Sequence, residues 1–263
     1  NTEIIDTYLA EKSLDKVKNH WIFDSIVYGK HLIEEPKDVD EHKLNEIYDI
    51  IIGKLKNFVP LNETLWHEFF GNMKIPDKLY VYLIVGSPKP YDTMVRDDKD
   101  GNSCIIIDLV RISSYSDDIS KISDVVSNFV THEISHLLIN SVYPYEDSLE
   151  YIVFDEGIAH LLSFKKDVLS IDWYSNEMNV RRKSAYKNLI NALDKISDDN
   201  KDKILEDSNS GSYWNKFGAI SGLFALIDYY NYNGKNIRAF EHIFKEGPDA
   251  LIKFIYEEIN LLE

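Results

Sequence analysis

Ile122, Val125, Val126, Phe129 and Val130 recur at intervals of three and four residues, a rhythm that a helix gathers onto one side. The same helix runs on through Thr131-His132-Glu133-Ile134-Ser135-His136. Residues four apart share a helical face, so His132 and His136 direct two imidazoles at one point, one turn apart. Glu133 is rotated beside them, where its carboxylate reaches a water held at that point without itself binding a metal ion. A second helix is expected over Leu149 to Phe164 and carries Asp155-Glu156-Gly157-Ile158-Ala159-His160. If that helix packs close to the first, a carboxylate joins the two histidines.

The rest of the chain frames these helices. Residues 3 to 28 read as one or two helices, Leu44 to Phe58 as another, and Asn62 as the cap of a short helix through Leu65, Trp66, Phe69 and Phe70. Strand character follows at Leu79 to Val85, Tyr91 to Val95 and Cys104 to Val110, with a polar turn over Asp97 to Asn102. Beyond the motif-bearing helices, Ser175 to Ile196, Tyr213 to Tyr230, Ile237 to Phe244 and Ala250 to Ile259 read as helices, and Asp198 to Ser212 as a polar loop. The expected class is α+β: a small mixed sheet, the H-E-x-x-H helix and a mostly helical C-terminal lobe. The expected organisation is a helical N-terminal region (1–75), a lobe of sheet and H-E-x-x-H helix (76–145), and a helical lobe carrying the third metal ligand (146–263).

Composition removes several function classes. Among 263 residues, 45 acidic side chains against 29 lysines and arginines give a formal charge of -16, which argues against a nucleic-acid partner and slightly favours neutral or basic substrates. Cys104 is the lone cysteine, so neither an intrachain disulfide nor a cysteine-rich metal site is possible, and its apolar surroundings predict packing in a strand. No run approaches the eighteen or more apolar residues of a membrane-spanning segment. The chain opens on Asn1, which fits either a removed leader, with secretion or attachment to the cell envelope, or an internal start. Asn62-Glu63-Thr64 matches a glycosylation acceptor by pattern alone.

Catalytic zinc sites generally use three protein ligands and keep a further position for water or substrate. His132 and His136 supply two, and Glu156 is the expected third; Gly157 then lets its helix approach a neighbour closely. One turn on, His160 is read as orienting a ligand, as acid or oxyanion support, as replacing Glu156, or as a packed or surface histidine outside the chemistry. Asp155 is read as an acceptor for an imidazole N–H, which fixes tautomer and raises ligand basicity, or as a residue of the helix start or surface.

His132-Glu133-Ile134-Ser135-His136 together with Glu156-Gly157-Ile158-Ala159 resembles the gluzincin class of zinc metallopeptidases. The spacing and the Glu-Gly-x-Ala run are especially similar to the aminopeptidase-N-like branch and its small bacterial relatives. The signature covers residues 131 to 160 and extends to a metallopeptidase-like catalytic unit of about residues 76 to 230. The resemblance implies His132, His136 and Glu156 as zinc ligands and Glu133 as general base. It also implies an oxyanion stabiliser in the downstream lobe, for which Tyr213, in Tyr213-Trp214-Asn215-Lys216-Phe217-Gly218-Ala219, is the candidate, with His160 in support. Where the aminopeptidase branch carries a Gly-x-Met-Glu-Asn strand motif, this chain has Gly101-Asn102-Ser103-Cys104-Ile105, without the glutamate that anchors a free amine. His160 also stands where the thermolysin-like branch carries an aspartate.

The resulting expectation is zinc-dependent hydrolysis of peptide bonds in a peptide or protein substrate by metal-activated water. An endopeptidase or oligopeptidase is preferred over a strict aminopeptidase. Two other readings stay open at this point: a catalytically inactive zinc-binding interaction module, and a zinc hydrolase of non-peptide substrates.

Overall fold

A computed structural model describes residues 39–85, 92–97 and 102–262. The helices expected over residues 3 to 28, and the core of the Asp97 to Asn102 turn, lie outside the described residues.

Helix α1, Glu41–Lys56, buries Ile47 and Ile51. It starts three residues ahead of its apolar pattern because the Asp40 carboxylate accepts a hydrogen bond from the Lys43 amide at 3.1 Å. Helix α2, Glu63–Phe70, buries Leu65, Trp66, Phe69 and Phe70, as the sequence predicts. Asn62 precedes it, yet its side chain does not cap it. The Asn62 amide donates instead to the carbonyls of Leu162 and Lys165, each at 2.9 Å, and its Oδ1 accepts from the Val168 amide at 3.1 Å. A buried amide engaged at both ends holds the chain together here, and in the folded protein it is not an available glycosylation acceptor.

Three strands form a mixed sheet in the order β1-β3-β2: β1 is Tyr80–Ile84, β2 Thr93–Asp97 and β3 Ser103–Asp108. Central β3 runs parallel to β1 and antiparallel to β2, with Ile106 opposite Tyr82 on one side and Met94 on the other. Its run Cys104 to Asp108 is buried throughout, as expected of a strand paired on both edges and covered on both faces. Cys104 packs with Ile84, Met94 and Ile106, fulfilling the packing expectation. The strand stops at Asp108, two residues short of its expected end. The Asp108 carboxylate accepts from the amides of Val110 and Arg111 at 2.9 and 3.0 Å and so opens a short helix α3, Leu109–Ser113.

Helix α4, Ile119–Val142, carries the H-E-x-x-H run, and α5, Leu149–Ser163, carries Glu156. The following helices are α6 (Asn176–Leu193), α7 (Lys201–Asn209), α8 (Phe217–Tyr232), α9 (Ala239–Glu246) and α10 (Pro248–Leu262). Two local expectations fail. The stretch read as a polar loop contains α7, which buries Leu205 and Ser208 and packs Ile204 beside them among charged neighbours, too short a stripe to register as periodic. Tyr213 does not start a long helix: Tyr213–Asn215 is a single 3-10 turn, and α8 begins at Phe217.

The described residues cluster into two compact units, one drawn from residues up to 58 and 76–133, the other from 59–75 and 134–263. The division falls inside α4, after Glu133. In the first unit the apolar interior comes from α1, β3, α3 and the start of α4, through Ile51, Ile105, Ile112 and Ile122. In the second, α5 and α8 form the centre, with α6 and α10 packed on them. The class is therefore α+β with a small mixed sheet and a predominantly helical remainder. No helix among the described residues is long and apolar enough to cross a membrane.

Candidate metal centre

Helix α4 changes character along its length. Up to Val130 it is amphipathic, with Ile122, Val126 and Val130 buried; from Thr131 to Ile139 all residues except half-buried His132 are buried. His132 and His136 sit one turn apart where that burial begins, and Glu133 between them is only 3% exposed. A buried carboxylate needs a partner. Glu133 has one in Thr93 of edge strand β2, whose hydroxyl donates to Oε1 at 2.7 Å. The start of β2 is itself anchored by Asp92, which accepts from Arg111 at 3.1 Å and from the Tyr115 hydroxyl at 2.6 Å. Burial and the adjacent Asp92 carboxylate push the Tyr115 phenol well above its ordinary range, so the hydroxyl remains a donor.

Helix α5 is placed by backbone contact. Gly157 faces Gly222 of α8 so closely that a Cβ on Gly157 would lie 2.6 Å from the Gly222 Cα, and one on Gly222 would lie 1.8 Å from the Val153 carbonyl oxygen. Any larger residue at either position forces these helices apart, as the Glu156-Gly157 pair leads one to expect. Ser148 caps α5 by accepting from the Tyr151 amide at 3.1 Å. Ordered this way, the helix presents three polar side chains in sequence positions 155, 156 and 160. Asp155 Oδ2 lies 2.9 Å from His136 Nδ1. Glu156 stands between two imidazoles, with Oε1 3.8 Å from His136 Nε2 and Oε2 3.6 Å from His160 Nε2.

One ligand atom from each of His132, His136 and Glu156 lies within 4.8 Å of the others. Two imidazoles and a carboxylate at one locus, with a second carboxylate beside one of the imidazoles, form a donor set that could hold a metal ion. His160 is outside this trio. Its ring meets the Tyr213 ring edge-on at 5.1 Å between centroids. The Tyr213 hydroxyl is buried without a hydrogen-bond partner among the described residues, and burial raises its pKa far above the ordinary phenol value. All seven residues singled out from the sequence thus fall on α4, α5 and the turn at Tyr213.

Two side chains at the centre escaped the sequence reading. Thr93 sits on a five-residue strand with no motif of its own. Asn209 ends α7, in the stretch read as loop, and its amide donates to Glu156 Oε1 at 2.5 Å. Neither carries a pattern; each is found only through the carboxylate it touches. Comparison of the chain with protein-family models, with curated proteins and with solved structures finds no match.

Proposed function

We propose that this protein is a zinc-dependent peptidase that cuts peptides internally or shortens oligopeptides. The observation that carries the reading is the convergence of His132, His136 and Glu156 within 4.8 Å, with buried Glu133 on the same turn of α4 as the two histidines. Zinc held by these side chains would acidify a water molecule and polarise a peptide carbonyl. The remaining roles belong to the chain itself. Glu133 takes the proton of the attacking water and returns it to the leaving amine. The Thr93 hydroxyl occupies Oε1, which leaves Oε2 for that exchange. Asp155, 2.9 Å from His136 Nδ1, orients the ring, and Nε2 would be the nitrogen that holds the cation.

Tyr213 is the candidate donor to the carbonyl oxygen as charge develops there, in keeping with a buried phenol that stays protonated and lacks an internal partner among the described residues. His160, in ring contact with Tyr213 and beside Glu156, supports that donor. The run Gly101 to Ile105 lacks an acidic anchor for a free amine, which favours internal cleavage over strict N-terminal trimming.

Metal analysis joined to mass-spectrometric readout of a peptide library tests the reading. The wild type is expected to hold one zinc ion and cut within peptides, and Glu133→Ala to keep the zinc and lose at least about 100-fold in turnover. Zinc binding without turnover in the wild type would leave an interaction module. Turnover confined to esters or other non-peptide compounds would leave a different zinc hydrolase.

A further inference from the structure

We propose that Asn209 is a positioning residue for the third metal ligand, holding the Glu156 carboxylate in place before a cation arrives. The proposal rests on the metal-centre reading above. Asn209 Nδ2 donates to Glu156 Oε1 at 2.5 Å. The opposite orientation of the amide would set two oxygens at that separation, so the donor end must face the carboxylate. Its other end, Oδ1, is then buried without a hydrogen-bond partner among the described residues. A buried acceptor left unmatched is unfavourable. The side chain keeps this arrangement because its donor is needed at Glu156.

The position of Asn209 is imposed from behind. Gly218 of α8 lies against the last turn of α7, and a Cβ there would be 3.0 Å from Ser208 Cβ and 3.1 Å from the Ser208 carbonyl oxygen. Ser208 is completely buried, and its hydroxyl donates to the Leu205 carbonyl at 2.7 Å. The end of α7 is therefore seated firmly on α8, the helix whose Gly222 also sets α5. One helix thus fixes both Glu156 and the amide that holds it.

The consequence is chemical. A glutamate has several rotatable bonds, and between His136 and His160 its carboxylate has two imidazoles to choose from. A carboxylate offers about four lone-pair sites. Asn209 occupies one of them on Oε1. An amide nitrogen has no lone pair to offer a metal ion, so Asn209 acts only through Glu156.

The test is competition titration of the metal-free protein with zinc and a chromophoric chelator, alongside urea unfolding of the same metal-free samples. Asn209→Leu keeps the branching and number of side-chain heavy atoms and removes the donor; Asn209→Ala gives a second reading if the bulkier leucine is poorly accommodated. Both are expected to weaken zinc binding about 10- to 100-fold while the metal-free unfolding midpoint stays close to wild type. Glu156→Gln serves as the control. If it weakens zinc binding and the Asn209 variants stay within about twofold of wild type, the Asn209 proposal falls and the metal centre stands. If the wild type binds no zinc, or Glu156→Gln binds it unchanged, the metal centre falls and Asn209 with it. A loss of zinc affinity matched by an equal loss of metal-free stability in both Asn209 variants would assign the residue to packing and overturn the proposal.

Discussion

Helix α4 shows one solvated side for its first three turns and directs Ile122, Val126 and Val130 inward, so its own periodicity orients it. Twelve of the fifteen residues of α5 are buried, and its apolar residues face nearly every direction. Such a helix cannot be oriented by an amphipathic stripe. Its rotation is set by where a neighbour comes closest, which is the Gly157–Gly222 contact. Two histidines on α4 keep their mutual spacing whatever happens nearby, whereas Glu156 reaches the same locus only while α8 holds α5 in register.

The contrast is broken most severely at Gly222. A methyl group there meets the Val153 carbonyl oxygen at 1.8 Å, backbone against backbone, with no side chain able to yield. Gly222→Ala is expected to destabilise the second unit by about 4 kcal/mol or more, read by urea unfolding, and to remove tight zinc binding. Unaltered stability and zinc affinity in this variant would show that α5 owes its place to something else.

Arg182 tests the support behind α8. Buried Arg182 on α6 meets Asp228 of α8 at 3.0 Å, and Asp228 also accepts from Tyr174 at 2.9 Å and from Tyr186 at 2.7 Å. Burial raises the Asp228 carboxyl above its ordinary range, while Arg182 and the tyrosine hydroxyls pull it down. Arg182→Met strands the carboxylate and should cost about 3–5 kcal/mol near neutral pH. The pH dependence has a definite sign. An acid whose folded-state pKa is raised contributes stability that is present below its unfolded value and lost as pH rises through the folded value. Removing Arg182 raises the folded value further, so the variant should approach wild type in acid and fall behind as pH increases. A gap in unfolding free energy that stays constant between acid and neutral pH would contradict this account.

The smallest expected effect lies on the α4 side. Thr93→Val removes the hydroxyl that holds Glu133 while keeping a β-branched side chain on β2. Turnover should fall about tenfold, near 1.4 kcal/mol, with KM and zinc content unchanged, and Thr93→Ser should restore most of it. Equal kcat in the valine variant would reduce Thr93 to packing.

Much of this architecture is legible in the residues. Helices around Ile47, Trp66, Val130, Phe154 and Leu223, and strands around Leu83 and Ile106, follow from local periodicity. What stays hidden depends on single side-chain contacts. Asp108 ends a strand early because its carboxylate finds two amides, and Asn62 abandons a capping role because three backbone groups converge on it. Helix α7 is hidden for a different reason: its inward side is too small to stand out, yet that short side is enough once Gly218 lies against it.

The H-E-x-x-H run by itself determines that two imidazoles and a carboxylate share one stretch of helix, because the α-helical repeat brings residues four apart onto one face. That relation needs no partner. The tertiary structure alone decides that Glu156 joins them, that Asp155 meets His136 Nδ1, and that Thr93 and Asn209 each hold one carboxylate. Those relations join elements distant in sequence, and for Glu156 and Asn209 they follow the close packing of α5 and α7 on α8 at Gly157, Gly222 and Gly218.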